Sequence, residues 1–175
     1  MGRERQEELE RIAEFLAARN EPITIIVIGG TAKALFGLPR RTLDIDAEIA
    51  CSDEAYAGLQ SFLAAHKIPA NIGENISQWG TIPLPQGYRE RAVEILRKGS
   101  VSIKLLDPAD YVFSKLARGT EIDEQDALDV CAAKRIKPDA VRNRLGLVRL
   151  PKDPETRFFL ERVERFLKRL EQAVP

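Results

Sequence analysis

A small α/β domain with a helical tail is what this sequence predicts, on three observations. Two short runs, Ile23 to Ile28 and Leu43 to Ile49, carry the β-branched or period-two patterns of strands. Stretches of amphipathic helical spacing alternate with them, beginning with Leu9, Ile12, Ala13, Phe15 and Leu16. From Asp107 onward the chain reads as helices separated by Pro or Gly. The expected architecture is a small mixed sheet flanked by helices over residues 1–134, with residues 135–175 as a helical extension packed on it.

The elements follow in order. Arg5 to Arg19 forms the first helix, stopped near Asn20-Glu21-Pro22. The buried strand Ile23 to Ile28 ends at Gly29-Gly30, and Thr31 to Phe36 makes a short helix closed by Gly37. In Leu43 to Ile49 the alternation puts Asp44, Asp46 and Glu48 on one face. Ser52 caps a helix running to about His66. Between Lys67 and Gly87, where Pro and Gly dominate, one short strand and a long loop are expected. Ala92 to Leu106 reads as a hairpin turning at Lys98-Gly99-Ser100, with a helix over Tyr88 to Arg97 as the alternative. Asp107-Pro108 is a helix start with Asp as the cap and Pro at the first position. Further helices are expected at Asp123 to Lys134, Pro138 to Leu145 and Pro154 to Gln172.

Composition narrows the function classes. With 175 residues, 44% hydrophobic and 31% charged, the chain has the material for a core and is not of disordered type. Its net charge of zero argues against a constitutive nucleic-acid coat. The twelve Lys or Arg against five Asp or Glu between Lys134 and Arg169 still leave a local basic face for RNA, although solvated helix faces usually explain such runs. No run approaches membrane-spanning length and no leader pattern opens the chain, so a cytoplasmic protein without a membrane segment is expected. Cys51 and Cys131 lack metal-ligand spacing and read as ordinary buried thiols. His66, the single histidine, suits a helix end better than catalysis. Trp79 and Tyr88 flank the Pro-Gly segment and read as anchors for it.

The informative stretch is Ile28-Gly29-Gly30-Thr31, followed by Arg41-Thr42-Leu43-Asp44-Ile45-Asp46. Two aspartates at i and i+2 of a strand reach one divalent cation, and the cation relieves their mutual repulsion. Paired glycines after a buried strand allow close approach of backbone to phosphate, with Thr31 as a further hydroxyl donor.

This order resembles the polymerase-β-like nucleotidyltransferase superfamily, whose signature is a Gly-Gly or Gly-Ser turn followed by D-x-D on the next strand. The Arg41 to Asp46 segment is similar to the R-T-x-D-x-D of minimal nucleotidyltransferases related to AbiEii abortive-infection toxins. Pro108 to Arg118 resembles their P-x-D-x-x-x-x-K-L-x-R helix, and Asp123 to Ala127 their D-x-x-D-A, so the likeness spans roughly residues 23–134. The resemblance implies a Mg²⁺- or Mn²⁺-dependent transfer of a nucleoside monophosphate from an NTP to a hydroxyl acceptor. It makes Asp44 and Asp46 metal ligands, and Gly29, Gly30, Thr31, Arg41 and Thr42 the nucleotide-facing turn and loop. Lys115 and Arg118 would meet phosphates, with Asp123 and Asp126 orienting Lys115 or facing the nucleotide. A solvated helix face and an acidic helix start are the plainer readings of those four. The family's third carboxylate has Glu74 and Glu94 as candidates by order, with Glu48 on the D-x-D strand itself; Glu74 is the expected catalytic partner. A tRNA or protein acceptor, in a toxin–antitoxin or phage-defence setting with an antitoxin partner, is the implied role. The alternative is a non-catalytic nucleotide-sensing or partner-binding module on the same fold.

Overall fold

The computed structural model describes residues 2–40 and 42–173. In chain order it contains α1 (Gly2–Ala17), β1 (Ile23–Val27), α2 (Gly29–Leu35), β2 (Ile45–Ala50), α3 (Asp53–Ala65) and β3 (Ala70–Gly73). A 3₁₀ turn (Ile76–Gln78) and α4 (Tyr88–Arg91) precede β4 (Val93–Lys98) and β5 (Val101–Leu105). Four helices follow: α5 (Pro108–Arg118), α6 (Glu121–Lys134), α7 (Pro138–Leu145) and α8 (Pro154–Ala173). None of the helices is long and apolar enough to cross a membrane among the described residues. The chain divides into two compact units, one running to Asn75 and adding Ala92–Leu106, the other made of Ile76–Arg91 and everything from Asp107.

The first unit holds a five-stranded mixed sheet in the order β3-β2-β1-β5-β4. β1 pairs antiparallel with β2 and parallel with β5, β3 runs parallel to β2, and β4 closes the expected hairpin with β5. The open alternative for Tyr88 to Arg97 resolves into one short helical turn, Tyr88–Arg91, and then strand. Alternation along the strands sorts the two faces. Ile23, Ile25 and Val27, Ile45, Ala47 and Ile49, and Val101, Ile103 and Leu105 lie on one face and are all buried. The stripes of α1 (Leu9, Ile12, Ala13, Leu16) and α3 (Ala55, Leu59, Leu63) are buried as well, and Phe15 stacks on Phe62 at 4.4 Å to tie the two helices. The other face carries Asp46 and Glu48 on β2 and Ser102 and Lys104 on β5.

Caps anticipated from sequence form as hydrogen bonds. Ser52 accepts from the Ala55 amide at 3.2 Å, and Asp107 accepts from the amides of Ala109 and Asp110 at 2.9 and 3.4 Å. Replacing Ser52 with alanine is expected to cost about 1 kcal/mol, read as a lowered midpoint in urea unfolding. The α6 helix starts two residues earlier than its acidic pattern suggests, because Thr120 is the cap and accepts from the Asp123 amide at 3.1 Å.

The second unit packs α5 to α8 around Val112, Phe113, Leu116, Ala127, Cys131, Val141, Phe159, Val163, Phe166 and Leu170. Cys131 is a buried thiol, as read from sequence, and burial pushes its pKa up to about 12. Cys51, in the first unit, is only half-buried. The Pro-Gly segment is fastened through its backbone: Arg91 donates to the carbonyls of Pro85 and Gln86 and grips buried Asp110 through two 2.9 Å bonds. Tyr88 is buried in this unit, whereas Trp79 is 43% exposed, so only the tyrosine is sunk as an anchor.

Six of the twelve basic residues between Lys134 and Arg169 pair with acids. Arg142 pairs with Asp139 and Glu171, Arg144 with Asp107 and Asp110, Arg157 with Glu161, Arg162 with Glu155, and Arg165 and Arg169 with Glu124. Arg142 to Glu171, Arg144 to Asp110, and Arg165 and Arg169 to Glu124 tie one helix to another, whereas the pairs with Asp139, Glu161 and Glu155 lie within a single helix.

Candidate functional site

The turn between β1 and α2 lies against the start of β2. The Ile28 amide donates to the Asp46 carbonyl at 2.9 Å, continuing the β1–β2 ladder one residue beyond the strands. Gly29 follows at φ +64°, in the left-handed region, and a Cβ there would overlap Asp46 Oδ2 and stand 2.9 Å from its Cγ. A Cβ at Gly30 would sit 2.8 Å from Thr42 Cβ. Both glycines are therefore required by the close approach of this turn to the aspartate segment, the first against Asp46 and the second against Thr42.

Asp44 lies just before β2 rather than within it, and Asp46 is the strand's second residue. Both are half-buried. The segment leading into them is irregular, so its carbonyls need donors from elsewhere. The Asp44 carbonyl accepts from two hydroxyls, Thr31 Oγ1 at 3.0 Å and Thr42 Oγ1 at 2.9 Å. Thr42 Oγ1 also stands 3.5 Å from the Asp44 carboxylate, and Asn71 Nδ2 on β3 stands 3.4 Å from Asp46 Oδ1. Thr31 and Thr42 thus serve as struts of the aspartate segment: Thr31 is fully buried and its hydroxyl hydrogen is engaged by Asp44. Arg41 lies outside the described residues.

Register decides which acids accompany the pair. On β3, Asn71 stands opposite Asp46, and Gly73 opposite Glu48. Glu74 comes one residue further and so lies about 10 Å along the strands from the level of Asp46. Glu94 sits on edge strand β4, three strand spacings or about 14 Å from β2. Its carboxylate is held by Arg97 and by the Ser102 hydroxyl at 2.7 Å, and those hydrogen bonds, Arg97 first, lower its pKa. The structure brings neither Glu74 nor Glu94 to Asp44 and Asp46. Glu48 lies on β2 two residues after Asp46, on the same face, and is buried. Among the described residues no three His, Cys, Asp or Glu side chains are grouped to hold one metal ion.

In the second unit the structure gathers the other nominated residues into one buried cluster. Lys115 Nζ on α5 donates to Asp123 Oδ1 at 3.2 Å and to Asp126 Oδ2 at 3.0 Å on α6, with its side chain 3% exposed. Arg118 and Thr120 also donate to Asp123, and the Tyr111 ring lies 5.4 Å from the lysine nitrogen. Burial alone would raise the Asp123 pKa, but the hydrogen bonds from Arg118 and Thr120 and the charges of Lys115 and Arg118 outweigh it and hold the carboxyl below its ordinary value. Of the two orientations open to Asp123 and Asp126, they face Lys115, and its ammonium is engaged in clamping α5 to α6.

Sequence reading missed Arg5. Its side chain, 11% exposed, pairs with Glu8 and donates through Nη2 to the carbonyls of Thr42 (3.1 Å) and Leu43 (3.4 Å). The only local signal was an Arg and a Glu three apart on one helix face; a contact 37 residues away has no signature in a single sequence.

The donor set at the pair is all hard oxygen: two carboxylates, with the Gly29 turn beside one of them. Magnesium is commonly held by one or two carboxylates together with water and substrate phosphate, a donor chemistry that these hard-oxygen side chains match in kind.

Known proteins agree with this fold. No curated protein sequence matches the chain. An antigenic nucleotidyltransferase-like protein from Paracoccidioides brasiliensis, known from a crystal structure, superposes with a TM-score of 0.52 at 16% identity, over 96% of this chain and 92% of that one. A likeness at that identity shows a shared fold. The model of one family, described as nucleotidyltransferase of unknown function (DUF6036), matches residues 5–163. That match covers most of the chain, which therefore belongs to this nucleotidyltransferase family.

Proposed function

We propose that the chain is a Mg²⁺- or Mn²⁺-dependent nucleotidyltransferase in which Asp44 and Asp46 hold the metal and the Gly29-Gly30 turn receives phosphate. The observation that carries the reading is the seating of the Asp46 carboxylate directly against the Gly29 turn, with Asp44 two residues before it on a backbone held by two threonine hydroxyls. A metal bound there supplies charge neutralisation for the triphosphate and its leaving group. The chain's own contribution is positioning: glycines that let the turn close on Asp46 and Thr42, and carboxylates fixed before substrate arrives. The acceptor's hydroxyl oxygen would bond to the α-phosphorus as the bond to pyrophosphate breaks. A tRNA end or a protein hydroxyl, in a toxin–antitoxin or phage-defence role of the AbiEii kind, is the acceptor the residue resemblance favours.

A second reading rests on a specific observation. With Glu74 and Glu94 displaced from the pair, nucleotide binding without transfer is the behaviour of a sensing or partner-binding module.

Titration of each nucleotide in Mn²⁺, followed by incubation of α-labelled NTPs with total tRNA and with cell protein, separates the two. Label transferred by the wild type and lost in Asp46→Asn supports the enzyme; binding without transfer supports the module. Asp46→Asn is expected to weaken Mn²⁺-nucleotide binding about 100-fold, or ~2.7 kcal/mol, under either reading. Wild-type affinity in that variant would refute both.

A further inference from the structure

We propose that Arg5 is a positioning residue for the metal-binding segment: from the first turns of α1 it sets the backbone that presents Asp44. The inference rests on the reading of Asp44 and Asp46 as metal ligands. Three successive carbonyls of an irregular segment, those of Thr42, Leu43 and Asp44, are each satisfied by a side chain and not by a strand ladder. Two of the three depend on the Arg5 guanidinium. That group is planar with five donors, so one side chain can span adjacent carbonyls and still meet a carboxylate. Glu8, one turn on in α1, accepts from Nη1 of the guanidinium and orients it. The arrangement is largely withdrawn from water, with the Arg5 and Glu8 side chains 11% and 17% exposed. Leu43 is 86% exposed and Thr42 half-buried, so water is the poorer substitute at the Thr42 carbonyl.

The chemical logic follows from the order of the contacts. Arg5 holds residues 42 and 43, the threonines hold the carbonyl of residue 44, and β2 begins at residue 45. Fixing both sides of Asp44 means that the carboxylate pair need not be ordered when the metal binds, and that saving appears as affinity. Buried neighbours that orient metal ligands typically change metal affinity 10- to 100-fold. Lysine cannot replace arginine here, because an ammonium is a point donor with no fork to span two carbonyls and Glu8.

The test uses the full chain with Mn²⁺ as the probe, its binding followed by electron paramagnetic resonance, and thermal melting measured in parallel. Arg5→Ala is expected to weaken Mn²⁺ binding about tenfold, with recovery in millimolar guanidinium chloride but not in sodium chloride of equal ionic strength. Arg5→Lys should show the same loss without altering fold, which keeps the question open to test should the alanine variant fail to fold. Wild-type affinity in Arg5→Lys, or an Arg5→Ala deficit that guanidinium leaves untouched, overturns the proposal. A metal-independent arm separates it from the parent reading: trypsin cleavage between Leu38 and Asp44 should rise severalfold in Arg5→Ala. If the wild type takes up no Mn²⁺, the metal reading fails on its own account, and with it the role of Arg5 in metal affinity. Unchanged cleavage with Mn²⁺ binding intact would sink the Arg5 role alone.

Discussion

Replacing Lys115 with methionine is expected to destabilise the protein by about 3–5 kcal/mol, the cost of taking from two buried carboxylates the ammonium they share and leaving Asp123 with Arg118 and Thr120. Asp123 is fully buried and Asp126 nearly so, and both accept from the one ammonium. Methionine fills a similar volume, so the loss isolates charge from packing. The combined variant K115M/D123N/D126N should recover more than half of it, because neutralising the two carboxylates together with the ammonium costs less than stranding their charges in the interior. Urea unfolding of the single and triple variants measures both effects. Equal stability of Lys115→Met and wild type would show that the cluster is not a clamp.

The same cluster predicts a pH response. Asp123 titrates below its ordinary value of 3.8 in the folded protein. A carboxyl whose folded pKa is depressed contributes stability that is fully present above the unfolded value and is lost as pH falls through the folded one. Melting temperature should therefore fall from about pH 4 downward, and Asp123→Asn, though less stable at neutral pH, should show a shallower fall over that window. An identical slope in the two proteins would assign the acid transition to other groups.

Gly29→Ala carries the second large effect, and it acts on function and stability together. An alanine at φ +64° costs roughly 1–2 kcal/mol in backbone strain alone. Its Cβ would also overlap the Asp46 carboxylate, so either the turn or the ligand must move. A total loss of about 2–4 kcal/mol is expected, with strain and overlap adding. Mn²⁺-nucleotide binding should fall to the level of Asp46→Asn. Gly37→Ala is the control, since Gly37 has positive φ but open space around its Cβ position. Equal behaviour of the two variants in nucleotide binding would mean that the turn's contact with Asp46 has no functional weight.

Much of the first unit was legible because its signals are local. Alternation of Asp44-Ile45-Asp46-Ala47-Glu48-Ile49 fixes which side chains share a face whatever the strand pairs with. Ser52 and Asp107 announce helix starts through bonds to amides two or three residues away. Gly29-Gly30 marked the turn, although its reason, contact with Asp46 and Thr42, is a packing fact. Order along the chain says nothing of register, and it is register that sets Glu74 three residues beyond the level of Asp46 and Glu94 on the far edge of the sheet.

Residue chemistry and short-range periodicity by themselves determined strands β1 and β2, the Ser52 and Asp107 caps, the acidic pair and the glycine turn before it. Which cation meets which carboxylate was settled only in three dimensions, where Lys115 turned to Asp123 and Asp126 and Arg5 reached across 37 residues to the Thr42 carbonyl. The physical reason is range. A strand's alternation or a helix cap is satisfied within a few residues, whereas a buried charge takes as its partner whatever folding brings within hydrogen-bond distance, and chain separation does not enter that energy.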